Sequence, residues 1–189
     1  DYYENENIDL LLGETVSSID PAGRQVTLDS KKAVSFEKLI IATGSEPRHL
    51  PIPGVEHALC LYSLQNSRDV YERLKSADSV AVIGGGFIGL EIASAAAAAG
   101  KEVAVIEAAS QILSRSLTPQ LAQRIRAIHE AAGIRIIDSA SIDSISAEGV
   151  STDNGFVDAD LVLLGAGSIP RIQLAASAGL STSNGIDVD

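Results

Sequence analysis

Ser79-Val-Ala-Val-Ile-Gly84-Gly85-Gly86-Phe87-Ile88-Gly89-Leu90-Glu91 opens the stretch on which the fold turns, and Glu102-Val-Ala-Val-Ile-Glu107 closes it. Val80 to Ile83 is a short apolar, β-branched run, the pattern of a strand buried on both faces. The glycines at 84, 86 and 89 satisfy G-x-G-x-x-G. Leu90 to Ala99 suits a helix, with Gly100 placed to end it. A second buried strand, Val103 to Ile106, finishes on Glu107, an acid about 20 residues beyond the glycines, where the dinucleotide fingerprint places one.

Each position has a physical task. Gly84 lets the chain turn sharply out of the strand, Gly86 lets backbone approach a pyrophosphate, and Gly89 lets helix and strand pack closely. The helix N-terminus offers free N–H groups and a partial positive charge to phosphates. Glu107 is placed to accept hydrogen bonds from the hydroxyls of an adenosine ribose. A glycine-rich turn in an ordinary α/β domain is the plainer reading. Here strand, helix, second strand and terminal acid all agree on a nucleotide site.

The chain has 189 residues, enough for one large or two small domains with a real core. Its hydrophobic content of 46% and charged content of 21% are those of an ordinary globular protein. A net charge of −11 argues against nucleic acid or an anionic membrane as partner, since either favours a basic face. No apolar run approaches the roughly 20 residues of a membrane span, and no signal peptide opens the chain. The single cysteine, Cys60, has no partner for an internal disulfide, so a reducing, cytoplasmic setting is expected. A start at Asp1 and the lack of any methionine suggest a piece of a longer protein.

Asp1 to Gly44 reads as β-rich after a charged start. Strands are expected at Asp9 to Leu12, Thr15 to Ile19, Arg24 to Leu28 and Phe36 to Ile41, the last apolar enough at its end to be buried. Asp20-Pro-Ala-Gly23 has turn chemistry between two of them. Pro47, Pro51 and Pro53 mark Glu46 to Gly54 as a linker. A helix is expected from Ser67 to Lys75, capped by Ser67. Beyond Glu107, Thr118-Pro119 opens an amphipathic helix that Gly133 ends. Ile134 to Ile137 reads as a buried strand. Ile142 to Ile145 and Gly149 to Thr152 read as short strands, with Asp153-Asn-Gly155 as a hairpin turn. Leu161 to Leu164 is a further buried strand that runs into Gly165-Ala166-Gly167. Ile172 to Leu180 looks helical and Gly185 to Val188 suits a final strand.

Other chemistry is sparse. His49, His57 and His129 share no metal-ligand spacing, no serine sits in a G-x-S-x-G elbow, and no catalytic side chain or metal centre is assigned. Tyr71 and Lys75 form Y-x-x-x-K, but they precede the glycines and read as a helical surface pair. Cys60 reads as a small buried hydrophobe. Phe87 and Glu91 admit two readings. They are either a core aromatic and a solvated first-turn acid, or residues of a bound nucleotide's surroundings, and sequence chemistry does not choose between them.

Val82-Ile-Gly-Gly-Gly-Phe-Ile-Gly-Leu-Glu91 resembles the NADH-binding motif of the pyridine nucleotide–disulfide oxidoreductase flavoproteins. Leu39-Ile-Ile-Ala-Thr-Gly-Ser-Glu-Pro-Arg48 resembles that superfamily's second flavin-domain motif, and Asp160-Leu-Val-Leu-Leu-Gly-Ala-Gly-Ser-Ile-Pro170 its return from the NAD domain. Ala178-Gly-Leu180 and Asn184-Gly-Ile-Asp-Val-Asp189 are most similar to the ferredoxin and rubredoxin reductase branch. Arg171 departs from the pattern, which often has asparagine there.

The resemblance implies an α/β fold: a Rossmann-type parallel sheet with a small antiparallel meander, plus a β-rich remnant of a flavin domain. It implies a partial FAD domain over residues 1–50, an NAD domain over 51–170, and a return into the FAD domain over 171–189. Gly84, Gly85, Gly86, Phe87, Ile88, Gly89, Glu91, Glu107, Gly165, Ala166 and Gly167 would surround NAD. Phe87 would sit as a gate before the nicotinamide, Glu91 near its carboxamide, and Gly165 to Gly167 along its pocket. Ala42, Thr43, Gly44 and Arg48 would lie near FAD in a complete protein. The implied activity is hydride transfer from NADH to FAD, then electron transfer to a ferredoxin- or rubredoxin-type carrier. The family's N-terminal FAD-binding glycine motif and its later Gly-Asp motif are absent, so the piece alone is expected to be inactive. The alternatives are a disulfide, peroxide, NADH-oxidase or nitrite reductase member, or an NAD-responsive scaffold with little turnover.

Overall fold

The structure is a computed structural model that describes residues 2–189. The run Ser79–Ile83 becomes the middle strand of a five-stranded sheet. Its order is Ala58–Cys60, Leu161–Leu164, Ser79–Ile83, Glu102–Ile106, Arg135–Ile137, and every neighbouring pair is parallel. Val82 lies opposite Leu163 on one side and Val105 on the other.

Successive strand residues point to opposite faces, and this alternation builds two cores. Val80 and Val82 enter one, which the helices Leu64–Ser76 and Phe87–Ala98 close with Val70, Leu90 and Ala93. Ala81 and Ile83 enter the other. That core is closed by an antiparallel meander of Ile142–Ser146, Gly149–Thr152 and Gly155–Asp158, through Ile145, Val150 and Val157. Val82, Val105 and Val150 are fully buried, and each such side chain contributes about 1.5–3 kcal/mol on leaving water. In the alanine-rich helix Phe87–Ala98, Ala93 and Ala96 are buried, and their small side chains let the helix lie close on the sheet. Gly100 and Gly133, both at positive φ, end the helices before them.

The sequence-level helix at Ser67 begins earlier in the structure, at Leu64. Ser63 is its cap: the Ser63 hydroxyl accepts from the Asn66 N–H at 3.2 Å, and the Asn66 side chain accepts from the Ser63 N–H at 3.1 Å. This reciprocal pair satisfies donors that a helix start leaves open. Ser67 lies one turn inside. The strand Ala58–Cys60 was not expected; its three residues have no period of their own and are set by Leu161–Leu164 beside them.

The chain falls into two units, this one over Pro47–Ser168 and a second that runs up to Glu46 and resumes at Ile169. The second unit holds a three-stranded antiparallel sheet, Val16–Asp20, Gln25–Leu28 and Ala33–Ser35. Its first turn is held by the Asp20 carboxylate, which accepts the Gly23 N–H at 2.9 Å. Val26, Leu28 and Ala175 are its buried apolar residues, and the helix Gln173–Ser177 lies against the first strand. Thr43 donates its hydroxyl to the Arg171 carbonyl at 2.7 Å, and the Arg171 N–H donates to Gly44 at 3.0 Å.

Three expected strands are corrected in this unit. Asp9 to Leu12 is not a strand, and Leu12 is 81% exposed. The strand expected at Phe36 to Ile41 instead falls at Ala33–Ser35, and Ile40 is 89% exposed. Gly185 to Val188 contributes only an isolated bridge between Thr182 and Ile186. Apolar, β-branched composition allows a strand, but a partner must take its backbone hydrogen bonds. Among the described residues neither apolar run pairs as a strand; at the start of the second, Phe36 alone places its N–H, on the Arg24 carbonyl at 2.9 Å.

Candidate functional site

The order of connections reverses at the middle strand. The chain leaves Ser79–Ile83 toward Glu102–Ile106, whereas Leu161–Leu164 lies on its other side. The carboxyl ends flanking such a reversal form the crevice of an open α/β sheet. Here those ends are Gly84 and Gly165, and they touch. The Gly165 N–H donates to Ile83 at 2.7 Å and the Gly84 N–H to Ile106 at 2.8 Å. Gly84 has φ +106°, and a Cβ on it would lie 2.7 Å from the Gly165 carbonyl oxygen. A Cβ on Gly89 would lie 2.0 Å from the Gly84 carbonyl oxygen. Glycine is therefore required twice, once for backbone shape and once for contact distance. Gly86 differs: it precedes the helix Phe87–Ala98 with φ −80°, and a Cβ there would meet nothing within 4 Å. The open space lies at the start of a 12-residue helix, whose first N–H groups have no partner within the helix.

A cavity of about 570 Å³ occupies this crevice. Gly84, Gly85, Gly86 and Phe87 line one side of it, Gly165 to Gly167 another, and Glu107 stands at the end of the neighbouring strand. The size suits a small-molecule site, which spans roughly 300–1,000 Å³. Both oxygens of Glu107 are engaged: Oε2 accepts the Gly85 N–H at 2.7 Å and Oε1 accepts the Ala109 N–H at 2.7 Å. The segment after Glu107 turns back at Leu113, which has φ +54° and donates its N–H to the Gly85 carbonyl at 2.9 Å. That turn carries Ser114, Arg115 and Ser116 into the cavity lining.

Of the residues expected around a nucleotide, Gly84, Gly85, Gly86, Phe87, Glu107, Gly165, Ala166 and Gly167 are brought together here. Gly89 is buried behind the loop as a packing contact, and Ile88 and Glu91 are exposed on the helix, outside the lining. Phe87 is 60% exposed, so the core-aromatic reading does not hold for it. Ala42, Thr43 and Gly44 belong to the other unit. Arg48 lines this cavity, with its N–H donating to Gly167 at 3.0 Å. Sequence reasoning missed Leu50, Ile52, Ala140, Ser141 and Ile142, which also line the cavity. No local motif marks them, because they come from the linker and from the start of the meander with the residues just before it.

Outside the cavity the polar groups are structural. Asp160 Oδ2 accepts the N–H groups of Asp78 and Ser79 at 2.9 Å and the Ser79 hydroxyl at 2.8 Å. These bonds, that from Ser79 first, hold its carboxyl below the usual range. Arg126 bridges Asp138 and Glu130. His129 lies between the Ser94 hydroxyl and the Ile125 carbonyl. Lys75 sits 4.3 Å over the Tyr71 ring on one exposed helix face. Burial pushes the Cys60 thiol up. Among the described residues no group of three or more His, Cys, Asp or Glu is arranged to hold a metal, and no helix is long and apolar enough to cross a membrane.

Comparison with known proteins agrees with this architecture. A family model described as Pyridine nucleotide-disulphide oxidoreductase matches residues 2–189. The chain is 38% identical to a rubredoxin-NAD(+) reductase of Pseudomonas putida, covering 100% of this chain and 51% of that protein. It is likewise 38% identical to a terpredoxin reductase of a Pseudomonas species, covering 100% and 48%. Among solved structures, a ferredoxin reductase from Rhodopseudomonas palustris superposes with TM-score 0.91 at 36% identity, over 98% of this chain and 48% of that one. A putidaredoxin reductase in covalent complex with putidaredoxin gives 0.90 at 32% identity, also over 98% and 48%. The chain spans about half the length of the curated relatives it matches.

Proposed function

The chain belongs to the pyridine nucleotide-disulphide oxidoreductase family, and we propose that its Pro47–Ser168 unit binds NADH in the crevice cavity. In a longer flavoenzyme that unit would present the nicotinamide to FAD. The observation that carries this reading is the open cradle at Gly86, set at a helix start and facing a strand-end carboxylate, Glu107. That donor set fits a dinucleotide: backbone N–H groups and a helix dipole for the pyrophosphate, and an acid for ribose hydroxyls.

When bound, NADH supplies a hydride and FAD accepts it, so the redox chemistry belongs to the cofactors. The protein's residues bind and orient. The first turn of the Phe87–Ala98 helix would hold the pyrophosphate, and Glu107, with about four acceptor positions on its two oxygens, would take the ribose. Gly165, Ala166 and Gly167 have no bulky side chains and would floor the nicotinamide pocket. Phe87, exposed at the cavity, would screen that ring from water, with Ile88 and Glu91 on the same helix toward its carboxamide.

We read residues 1–50 as part of a flavin domain, 51–170 as the NAD domain and 171–189 as the return. Ala42, Thr43 and Gly44 are assigned to the flavin side, whereas Arg48, expected with them, lines the cavity proposed for NADH. The exposed apolar runs at Leu10 to Leu12 and at Leu39 and Ile40 support this, since further strands of a flavin domain would cover them. The electron acceptor in this reading is a ferredoxin- or rubredoxin-type carrier, the kind named for the relatives. NADH as donor and a lone, unpaired Cys60 suit a cytoplasmic setting.

The test is titration of the chain with NADH, followed by nicotinamide fluorescence and by calorimetry. Saturable binding in roughly the 1 μM–1 mM range is expected, with competition by ADP. No binding up to millimolar nucleotide would overturn the reading.

A further inference from the structure

We propose that Glu107 is a clasp that holds the glycine loop in its phosphate-receiving shape before any nucleotide arrives. This positioning role is distinct from contact with a ribose, and it rests on the nucleotide reading above. The Glu107 carboxylate joins two backbone segments: Oε2 takes the Gly85 N–H and Oε1 the Ala109 N–H, both at 2.7 Å. Its own backbone is fixed to the sheet beyond, with its N–H donating to Ile137 at 2.8 Å and its carbonyl accepting from Ala140 at 3.1 Å. Gly85 is thus held at both polar atoms, since its carbonyl accepts the Leu113 N–H at 2.9 Å. The fit is close. A Cβ on Gly85 would lie 2.7 Å from Ile112 Cγ2 and 3.1 Å from Glu107 Oε2.

Two consequences follow for a bound dinucleotide. The Gly85 N–H points at Glu107, so it is not a phosphate donor. The donors that remain begin past Gly86, at the helix start beside the open space. The second consequence concerns charge. A bare carboxylate beside a diphosphate site would repel it. Here two short, charge-assisted bonds spread that charge onto backbone dipoles, and Arg115 lines the same cavity. Without Glu107 the loop would have to be ordered by the ligand itself, a cost that falls on every dinucleotide whatever its ribose carries.

A ribose ligand and a loop clasp give different results with a nucleotide that lacks the contacted hydroxyl. The experiment is calorimetric titration of wild type, Glu107→Gln and Glu107→Ala with NADH and with a deoxy form whose adenosine ribose lacks both the 2′- and the 3′-hydroxyl. If Glu107 only contacts the ribose, the deoxy nucleotide binds all three proteins equally. If it is the clasp, the deoxy nucleotide binds Glu107→Ala at least about five-fold more weakly, part of the net worth of a charged hydrogen bond. Glu107→Gln falls between, because an amide oxygen keeps one backbone bond while its NH2 opposes the other. Amide hydrogen exchange of the ligand-free proteins supplies a second readout. Exchange at Gly85 and Ala109 should quicken about ten-fold or more in Glu107→Ala, while Val82 and Val105 in the same sheet keep their protection. Equal deoxy-nucleotide affinities, or unchanged exchange at Gly85, overturn the clasp. If wild type binds neither nucleotide, the nucleotide reading fails and exchange at Gly85 alone decides the clasp.

Discussion

Gly86→Ala and Gly89→Ala add the same methyl group three residues apart, and the structure assigns them opposite outcomes. At Gly89 the new Cβ would stand 2.0 Å from the Gly84 carbonyl oxygen and 3.4 Å from Val82 Cγ1. Ordinary contact with backbone begins near the second distance, so the helix or the loop must retreat by more than an ångström. Alanine gains about 1 kcal/mol of helix propensity over glycine. Overpacking costs about 1–3 kcal/mol, occasionally more, and a backbone oxygen yields less than a flexible side chain. With the cost at the upper end of its range the clash wins by about 2 kcal/mol, which lowers the melting temperature by about 4–8 °C in a chain of this size. At Gly86 the methyl meets nothing within 4 Å and φ is −80°. Its stability cost is a poorer N-cap, below about 1 kcal/mol. The methyl instead fills the space into which a pyrophosphate would settle, and NADH affinity should fall at least about ten-fold, or about 1.4 kcal/mol. Thermal melts by circular dichroism and calorimetric titration with NADH measure both effects. The reasoning is refuted if Gly86→Ala binds NADH like wild type, or if Gly89→Ala melts with wild type.

Three further outcomes are expected. Arg115 lines the cavity that contains Glu107, so Arg115→Ala should weaken NADPH more than NADH and widen a preference for NADH by about three-fold or more; an unchanged ratio in paired titrations would remove Arg115 from the nucleotide's surroundings. The Asp160 carboxyl is held below its ordinary 3.8, chiefly by the Ser79 hydroxyl. Its stabilising contribution is therefore present above that value and lost as pH falls through the lower folded-state value, so Asp160→Asn should lower the melting temperature at neutral pH and flatten its decline below pH 3.8; parallel wild-type and variant curves would dismiss the effect. Burial raises the Cys60 thiol, which lowers its thiolate fraction, so iodoacetamide should label it several-fold more slowly than a free thiol and Cys60→Ser should leave NADH binding unchanged; rapid labelling or lost binding would contradict this.

What the sequence made legible, and what it did not, divides along physical range. The fingerprint Gly84 to Glu107 could be read because its constraints act within a few residues of chain. A buried strand needs β-branched residues, a tight exit needs Gly84, and a close helix needs Gly89. The DNG turn between Thr152 and Gly155 and the proline after Thr118 were local in the same sense. The misreadings share the opposite character. Leu10 to Leu12 and Phe36 to Ile41 satisfy every local rule for a strand and fail only for want of a pairing partner. Ala58–Cys60 satisfies almost none and is a strand because Leu161–Leu164 lies beside it. Ser63 was passed over for Ser67 because both are permissible caps, and the choice fell to the reciprocal bond with Asn66.

The site divides in the same way, and Glu107 shows where. That an acid should end the second strand was legible from spacing. That one of its oxygens would close on Gly85 was not, because that contact spans 22 residues, and it sits beside a turn at Leu113 whose N–H holds the Gly85 carbonyl. The segment around that turn brings Arg115, eight residues past Glu107 in sequence, into the same cavity. Leu113 pays for its positive φ with a buried side chain, 5% exposed, and with the hydrogen bond to Gly85. Leu113→Gly would ease the backbone but empty that buried position, and Leu113→Ala would empty it while keeping the strain. A left-handed residue that lines the crevice cavity is thus held by the core cluster it joins, and no motif within the glycine loop encodes it.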